Sequence, residues 1–238
     1  MSASLIKFFS LYLDIPVLVY HSIKWPLSFK KQLEFLKRNS FEILNPNDFI
    51  LKLNQLPKKS PKPSILLTFD DGYSDLFFNV FPFLLEFRFP ALIFLTVDKI
   101  SKEGYLTYEK IKEMLDTGLI YIGSHTLSHR YLPYLKDEEI NFEIGESKRI
   151  LEENLKTEIN FFSYPWGGFN YYIKEKLKEA GYICAFTTNQ GLSFSLKHKD
   201  LFAIKRLTVK ENESFLKFFL KVSGAGYIFQ KHIVIKDG

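Results

Sequence analysis

Short apolar runs recur along this chain: PVLVYHSI, SILLTF, ALIFLTV, LIYIGS, INFFSYP, YICAFTT and IKRLTV. Each is too short for a buried helix, and each is apolar on both faces rather than alternating. A strand of that kind is covered on both sides, as in a parallel sheet dressed with helices. The segments between the runs have helical periodicity. FKKQLEFLKR puts Phe29, Leu33 and Leu36 on one face, and further helices are expected near Asp48–Leu56, over Ser74–Phe87, over Thr107–Asp116 with Thr107 as cap, and over Tyr171–Ala180, stopped by Gly181. Asp137–Leu155 is expected to be the longest helix. Strict strand–helix alternation predicts an α/β fold: a (β/α) barrel, with an open doubly wound sheet as the alternative, and IKRLTV as the last barrel strand.

The 238 residues suit a single domain spanning 1–238, with the Pro- and Lys-rich stretch Leu56–Ser64 as a connector within it. A hydrophobic fraction of 46%, with 25 Phe and 13 Tyr, excludes a disordered chain. The net charge of +5 comes from lysines spread along the sequence, with only five arginines, so a solvated basic surface is expected and no nucleic-acid partner. The lone Cys184, inside YICAF, excludes an intrachain disulfide and a multi-cysteine metal site, and is assigned to the core. Met1–Pro16 lacks the features of a secretory peptide, so the chain as written reads as cytoplasmic. Leu76–Val97, interrupted by Asn79, Glu86 and Arg88, reads as a helix followed by a strand and not as a membrane span. Oligomeric state is not legible.

In such folds reactive groups gather where strands end. SILLTF runs into Asp70, Asp71 and Gly72, and two bare adjacent carboxylates repel unless a cation lies beside them. Alone, Asp-Gly is a turn or a helix cap. LIYIG, however, is followed by SHTLSH, where His125 and His129 are four apart; on a helical turn that spacing places both imidazoles on one face, as two ligands of one metal require. One carboxylate with two imidazoles leaves an open position for water, the pattern of a catalytic site, and frees the other carboxylate to act as a base. FFSYPWGG forms a fixed aromatic turn whose amides can face an oxyanion, and Tyr164 and Trp166 offer faces for a sugar ring or for packing. His21 ends the strand VLVY.

TFDDG, SHTLSH and SYPWG, in this order and at these separations, resemble the first three motifs of the polysaccharide deacetylase superfamily, carbohydrate esterase family four, over roughly residues 16–209. The resemblance implies a distorted (β/α) barrel of about seven strands and metal-dependent removal of acetyl groups from amino sugars. It assigns Asp70 as general base, and Asp71, His125 and His129 as ligands of one divalent metal: zinc first, with nickel, cobalt or iron also suited to the set. The family usually acts on envelope polysaccharide, in tension with a cytoplasmic reading.

Three positions depart from the family pattern. Ser163 stands where an arginine that orients the base is usual, Trp166 replaces a tyrosine, and no Leu-x-x-His motif for the general acid follows residue 190, since His198 and His232 lie in unsuitable contexts. VLVYHSI is similar to the permuted branch of poly-β-1,6-N-acetylglucosamine deacetylases, in which the acid histidine precedes TFDDG, and this gives His21 that role. The implied reaction is attack on the acetamide by metal-activated water, with Asp70 taking a proton, the metal and the Trp166 N–H stabilising the oxyanion, and His21 protonating the amine. A glycan-binding module that keeps the ligands without turnover is the rival. A phosphatase of the haloacid dehalogenase kind needs Asp-x-Asp, which is not present here.

Overall fold

The computed structural model describes residues 15–55, 62–190 and 200–223. Its strands are β1 (Val17–Tyr20), β2 (Glu42–Leu44), β3 (Ser64–Phe69), β4 (Ala91–Leu95), β5 (Ile120–Ser124), β6 (Phe161–Ser163), β7 (Cys184–Gln190) and β8 (Ile204–Thr208). Its helices are α1 (Pro26–Arg38), α2 (Pro46–Gln55), α3 (Phe81–Phe87), α4 (Tyr108–Leu115), α5 (Asp137–Leu155), α6 (Tyr171–Glu179) and α7 (Phe215–Val222). All strand pairs in the sheet are parallel, in the order β1-β8-β7-β6-β5-β4-β3-β2, and a further β1–β3 pairing closes it. Seven strands therefore form a barrel, as expected, and β2 attaches outside that ring to the first half of β3.

Alternation along the strands sorts the core into two parts. Leu66, Leu92, Phe94, Phe161, Cys184, Phe186 and Ile204 form one cluster with Phe49 and Leu53 of α2. Their neighbours Ile65, Leu67, Ile93, Phe162 and Ala185 form another with the faces of the remaining helices. The first is the barrel interior and the second the layer between sheet and helices, which is why both faces of every central strand had to be apolar. Helix boundaries follow local chemistry. Thr107 Oγ1 accepts from Lys110 N at 3.4 Å and starts α4, and Phe29, Leu33 and Leu36 of α1 are buried together as their spacing requires.

The expected helix over Ser74–Phe87 is not uniform: Leu76–Val80 is a π-helical turn, and only Phe81–Phe87 is α-helical. No helix among the described residues is long and apolar enough to cross a membrane, and Leu76–Val97 divides into helix and strand. Met1–Asp14, His198 and His232 lie outside the described residues.

Inside the barrel, Gly123 of β5 makes room for Phe94. A Cβ added there would lie 2.6 Å from the Phe94 ring and 2.8 Å from the Phe161 carbonyl oxygen. Gly123→Ala is therefore expected to cost about 1–3 kcal/mol by overpacking, read as a lower midpoint in chemical denaturation. Phe94→Leu in the same chain should recover part of that loss. A Gly123→Ala protein as stable as the parent would refute the close fit.

Candidate active site

Side chains from the carboxyl ends of β3, β5 and β6 meet a side chain from the middle of β8. Asp70 follows β3 directly, its N–H donating to Tyr20 O of β1 at 2.9 Å, and its side chain is buried. Arg206, in the middle of β8, grips it with both arms: Nη1 donates to Oδ1 and Nη2 to Oδ2, each at 2.7 Å. The other guanidinium donors reach Ser163 Oγ at 2.8 Å, Thr187 O at 3.2 Å and Thr68 Oγ1 at 3.3 Å. All five N–H groups of a fully buried arginine are thereby used, which is the condition for burying such a charge. Burial would raise the Asp70 carboxyl, but the charge of Arg206 and its hydrogen bonds hold it down to about 2. The pair thus favours the ionised form of Asp70.

Sequence reasoning did not identify Arg206 as a site residue. It took the absence of an arginine at Ser163 as a gap, whereas the guanidinium enters from β8 and Ser163 Oγ lies against it, 3.3 Å from Asp70 Oδ2. The available signal was an arginine inside the apolar run IKRLTV, a position that demands a buried anion as partner.

Asp71 faces the other way. Its φ of 72° and that of 77° at Gly72 turn the chain through the left-handed region, so the two carboxylates serve different partners. Asp71 Oδ1 lies 3.3 Å from His129 Nε2 and 3.9 Å from His125 Nε2, and the three possible ligand atoms fall within 4.8 Å of one another. That oxygen is buried and takes no hydrogen bond, and Lys99 Nζ stands 3.6 Å from it. An orphaned carboxylate oxygen between two imidazole nitrogens fits a divalent cation. His125 Nδ1 lies 2.8 Å from Ser163 O, so Nδ1 donates and Nε2 keeps the lone pair that a metal would need. Burial lowers the His125 imidazole, and burial with the neighbouring His125 brings His129 to about 4, so both rings are in the neutral form that binds metal.

The two histidines do not share a helical turn, as their spacing had suggested. They sit in a loop after β5 in which Thr126 and His129 are themselves left-handed, with φ of 66° and 65°. The loop folds on itself through Thr126 Oγ1, which accepts from His129 N at 2.9 Å, and Ser124 Oγ, which accepts from Thr126 N at 3.1 Å. The buried Glu143 of α5 accepts from both N and Oγ of Ser128. These bonds compete successfully with the helix that the spacing alone would favour.

Trp166 has a φ of 58°, and its side chain, 71% exposed, packs edge-on against the His129 ring at 5.5 Å. Tyr164 is a correction: it is fully buried, donates its hydroxyl to Phe202 O at 2.9 Å and stacks on Phe169, so its face is unavailable to a sugar. His21 emerges exposed from the end of β1, which is paired with both β3 and β8.

Residues 57–185 match the polysaccharide deacetylase family. A Bacillus subtilis protein named as a polysaccharide deacetylase, YxkH, is 31% identical over 207 residues, covering 84% of this chain and 73% of that one. The poly-β-1,6-N-acetyl-D-glucosamine N-deacetylase of Escherichia coli K12 is 26% identical over 231 residues, and the match spans 79% of this chain but 34% of that enzyme. Among solved structures, the Streptococcus pyogenes deacetylase PplD in complex with acetate superposes with a TM-score of 0.79 at 23% identity, over 87% of this chain and 99% of that one. BC0361, a polysaccharide deacetylase from Bacillus cereus, gives 0.77 at 26% identity, over 88% and 69%. IcaB from Ammonifex degensii gives 0.75 at 22% identity, over 90% and 97%. The motif order, the closed barrel and these matches agree: the chain belongs to the polysaccharide deacetylase family.

Proposed function

We propose that this protein is a metal-dependent hydrolase that removes N-acetyl groups from the amino sugars of a polysaccharide or oligosaccharide. The observation that carries the reading is the orphaned Asp71 Oδ1 between His125 and His129, next to an ionised Asp70. The names of the E. coli and B. subtilis relatives support the substrate class. Asp71, His125 and His129 would hold one divalent cation, zinc being well suited to the donor set. When bound, such a cation supplies Lewis-acid polarisation of the acetyl carbonyl and acidifies water beside it, which is what allows a carboxylate as weakly basic as Asp70 to accept a proton.

The chain's own residues do the rest. Arg206 and Ser163 fix the carboxylate of Asp70 in place. The Trp166 N–H, on its left-handed turn beside His129, is the backbone donor to the oxyanion, and its exposed indole offers a face to the sugar. His21 delivers the proton that the departing amine needs, since an amine anion is far too basic to leave at neutral pH.

Elemental analysis of protein purified without chelators should find close to one divalent metal per chain, and little in His125→Ala; equal contents would remove the ligand assignment. Asp70→Asn should keep its metal and lose turnover on N-acetylglucosamine oligomers by on the order of 10²-fold or more. A variant that loses the metal would make Asp70 a ligand, and full activity would leave Asp70 without a catalytic role. His21→Ala should bind metal normally, hydrolyse the acetamide poorly and retain its rate on an aryl acetate, whose leaving group needs no proton. Equal loss on both substrates would dismiss His21 as the acid.

A further inference from the structure

The His21 ring is exposed, and among the described residues no hydrogen bond holds it, so what the fold fixes is the backbone that carries it. That backbone is tied on both sides to one segment of chain. Before it, Tyr20 O accepts from Asp70 N at 2.9 Å. After it, Ser22 Oγ and Ile23 N both donate to Asp75 Oδ2, at 2.5 Å and 2.9 Å, and Asn79 Nδ2 donates to Ile23 O at 2.7 Å. Asp75 and Asn79 are four residues apart: Asp75 immediately precedes the π-helical turn that follows the DDG loop, and Asn79 lies within it. The other oxygen of Asp75, Oδ1, is buried and takes no hydrogen bond, so the carboxylate is committed to the Ser22 hydroxyl and the Ile23 N–H.

We propose that Asp75 and Asn79 are positioning residues for His21, holding the proton donor of β1 in register with Asp70 of β3; the proposal rests on the acid role given to His21 above. The geometry explains the π-turn. A π-turn widens one step of the helix, and such steps recur at functional sites because they re-aim side chains. Here the step lies between Asp75, next to the catalytic loop, and α3, which packs into the outer core. His21 and Asp70 must act on opposite ends of one bond, the amine side and the attacking side, and displacement of a reacting group by about 1 Å can cost on the order of 10²-fold. A single segment carrying both Asp70 and the clamp on His21 fixes that separation.

The test uses the metal-loaded protein with an N-acetylglucosamine oligomer and para-nitrophenyl acetate as paired substrates, together with metal content and thermal midpoint. Asp75→Ala should lower amide turnover about tenfold or more while leaving ester turnover within about twofold. Asp75→Asn, which keeps one acceptor oxygen for two donors, should fall between. In a His21→Ala background, Asp75→Ala should have no further effect on amide turnover, because the two residues act as one unit. Asn79→Ala, which removes a single bond, provides the same comparison should Asp75→Ala fail to fold. Equal loss of amide and ester turnover, or a further loss of amide turnover in the His21→Ala background, would reduce the clamp to a structural contact. If His21→Ala itself shows no difference between the two substrates, the acid assignment fails and this proposal with it. A clear difference in His21→Ala with none in Asp75→Ala or Asn79→Ala refutes the clamp alone.

Discussion

The interaction on which the rest of this site depends is the buried pair of Arg206 and Asp70. It ties together four strands, since Arg206 belongs to β8, Thr68 to β3 with Asp70 directly after it, Ser163 to β6 and Thr187 to β7. A carboxylate at this depth would ordinarily protonate, and an arginine here would be untenable alone; each is stable only because the other is present. Removing one partner of such a pair typically costs about 3–5 kcal/mol, so the site and the closure of the barrel share one interaction. Phe94 and Phe186 lie under the guanidinium, at 5.4 Å and 6.0 Å, and separate the charged layer from the apolar interior below.

With Asp70 held by Arg206, the second carboxylate is free for other work, and backbone chirality supplies the separation. Among the described residues eight non-glycine residues have positive φ, and four of these, Asp71, Thr126, His129 and Trp166, lie in the three motif loops. Each such residue costs about 1–3 kcal/mol and persists only where its surroundings over-determine it. The offsets here are visible: Ser124, Thr126 and Glu143 brace the histidine loop, and Val97 N and Asp98 N donate to the Thr126 and Leu127 carbonyls. Ser163 joins the two halves, its hydroxyl against Arg206 and its carbonyl against His125. A single short strand thus orients both the Asp70 carboxylate and the His125 imidazole.

Most of the barrel was legible because strands buried on both faces leave an unambiguous apolar signature, and helices with one buried stripe leave another. The span Asp137–Leu155 and the cap at Thr107 follow from local chemistry alone. Asp70, Asp71, His125 and His129 were legible as candidates because strand ends tolerate charged residues only for a reason. What stayed hidden was long-range. Arg206 and Asp70 are separated by 136 positions, and nothing near either residue names the other. The histidine spacing was read with helical geometry, although side-chain hydrogen bonds had bent that loop into another shape. Tyr164 looked available because an aromatic turn gives no local sign of which rings face inward.

The position of His21 follows from closure and not from chain order. In a barrel the first strand must find a neighbour on each side, and β1 pairs with β3 through Val17–Tyr20 and with β8 through Leu18 and Val19. Those two neighbours are the strands that carry Asp70 and Arg206. A residue at the carboxyl end of β1 therefore comes out beside the buried pair whichever end of the sequence the strand was drawn from. A residue encoded far upstream of Asp70 can thus stand beside it without any cost in geometry, provided the loop after it is held. That requirement falls on Ser22 and Ile23, and the groups that meet it, Asp75 and Asn79, belong to the same turn that leaves the aspartate pair.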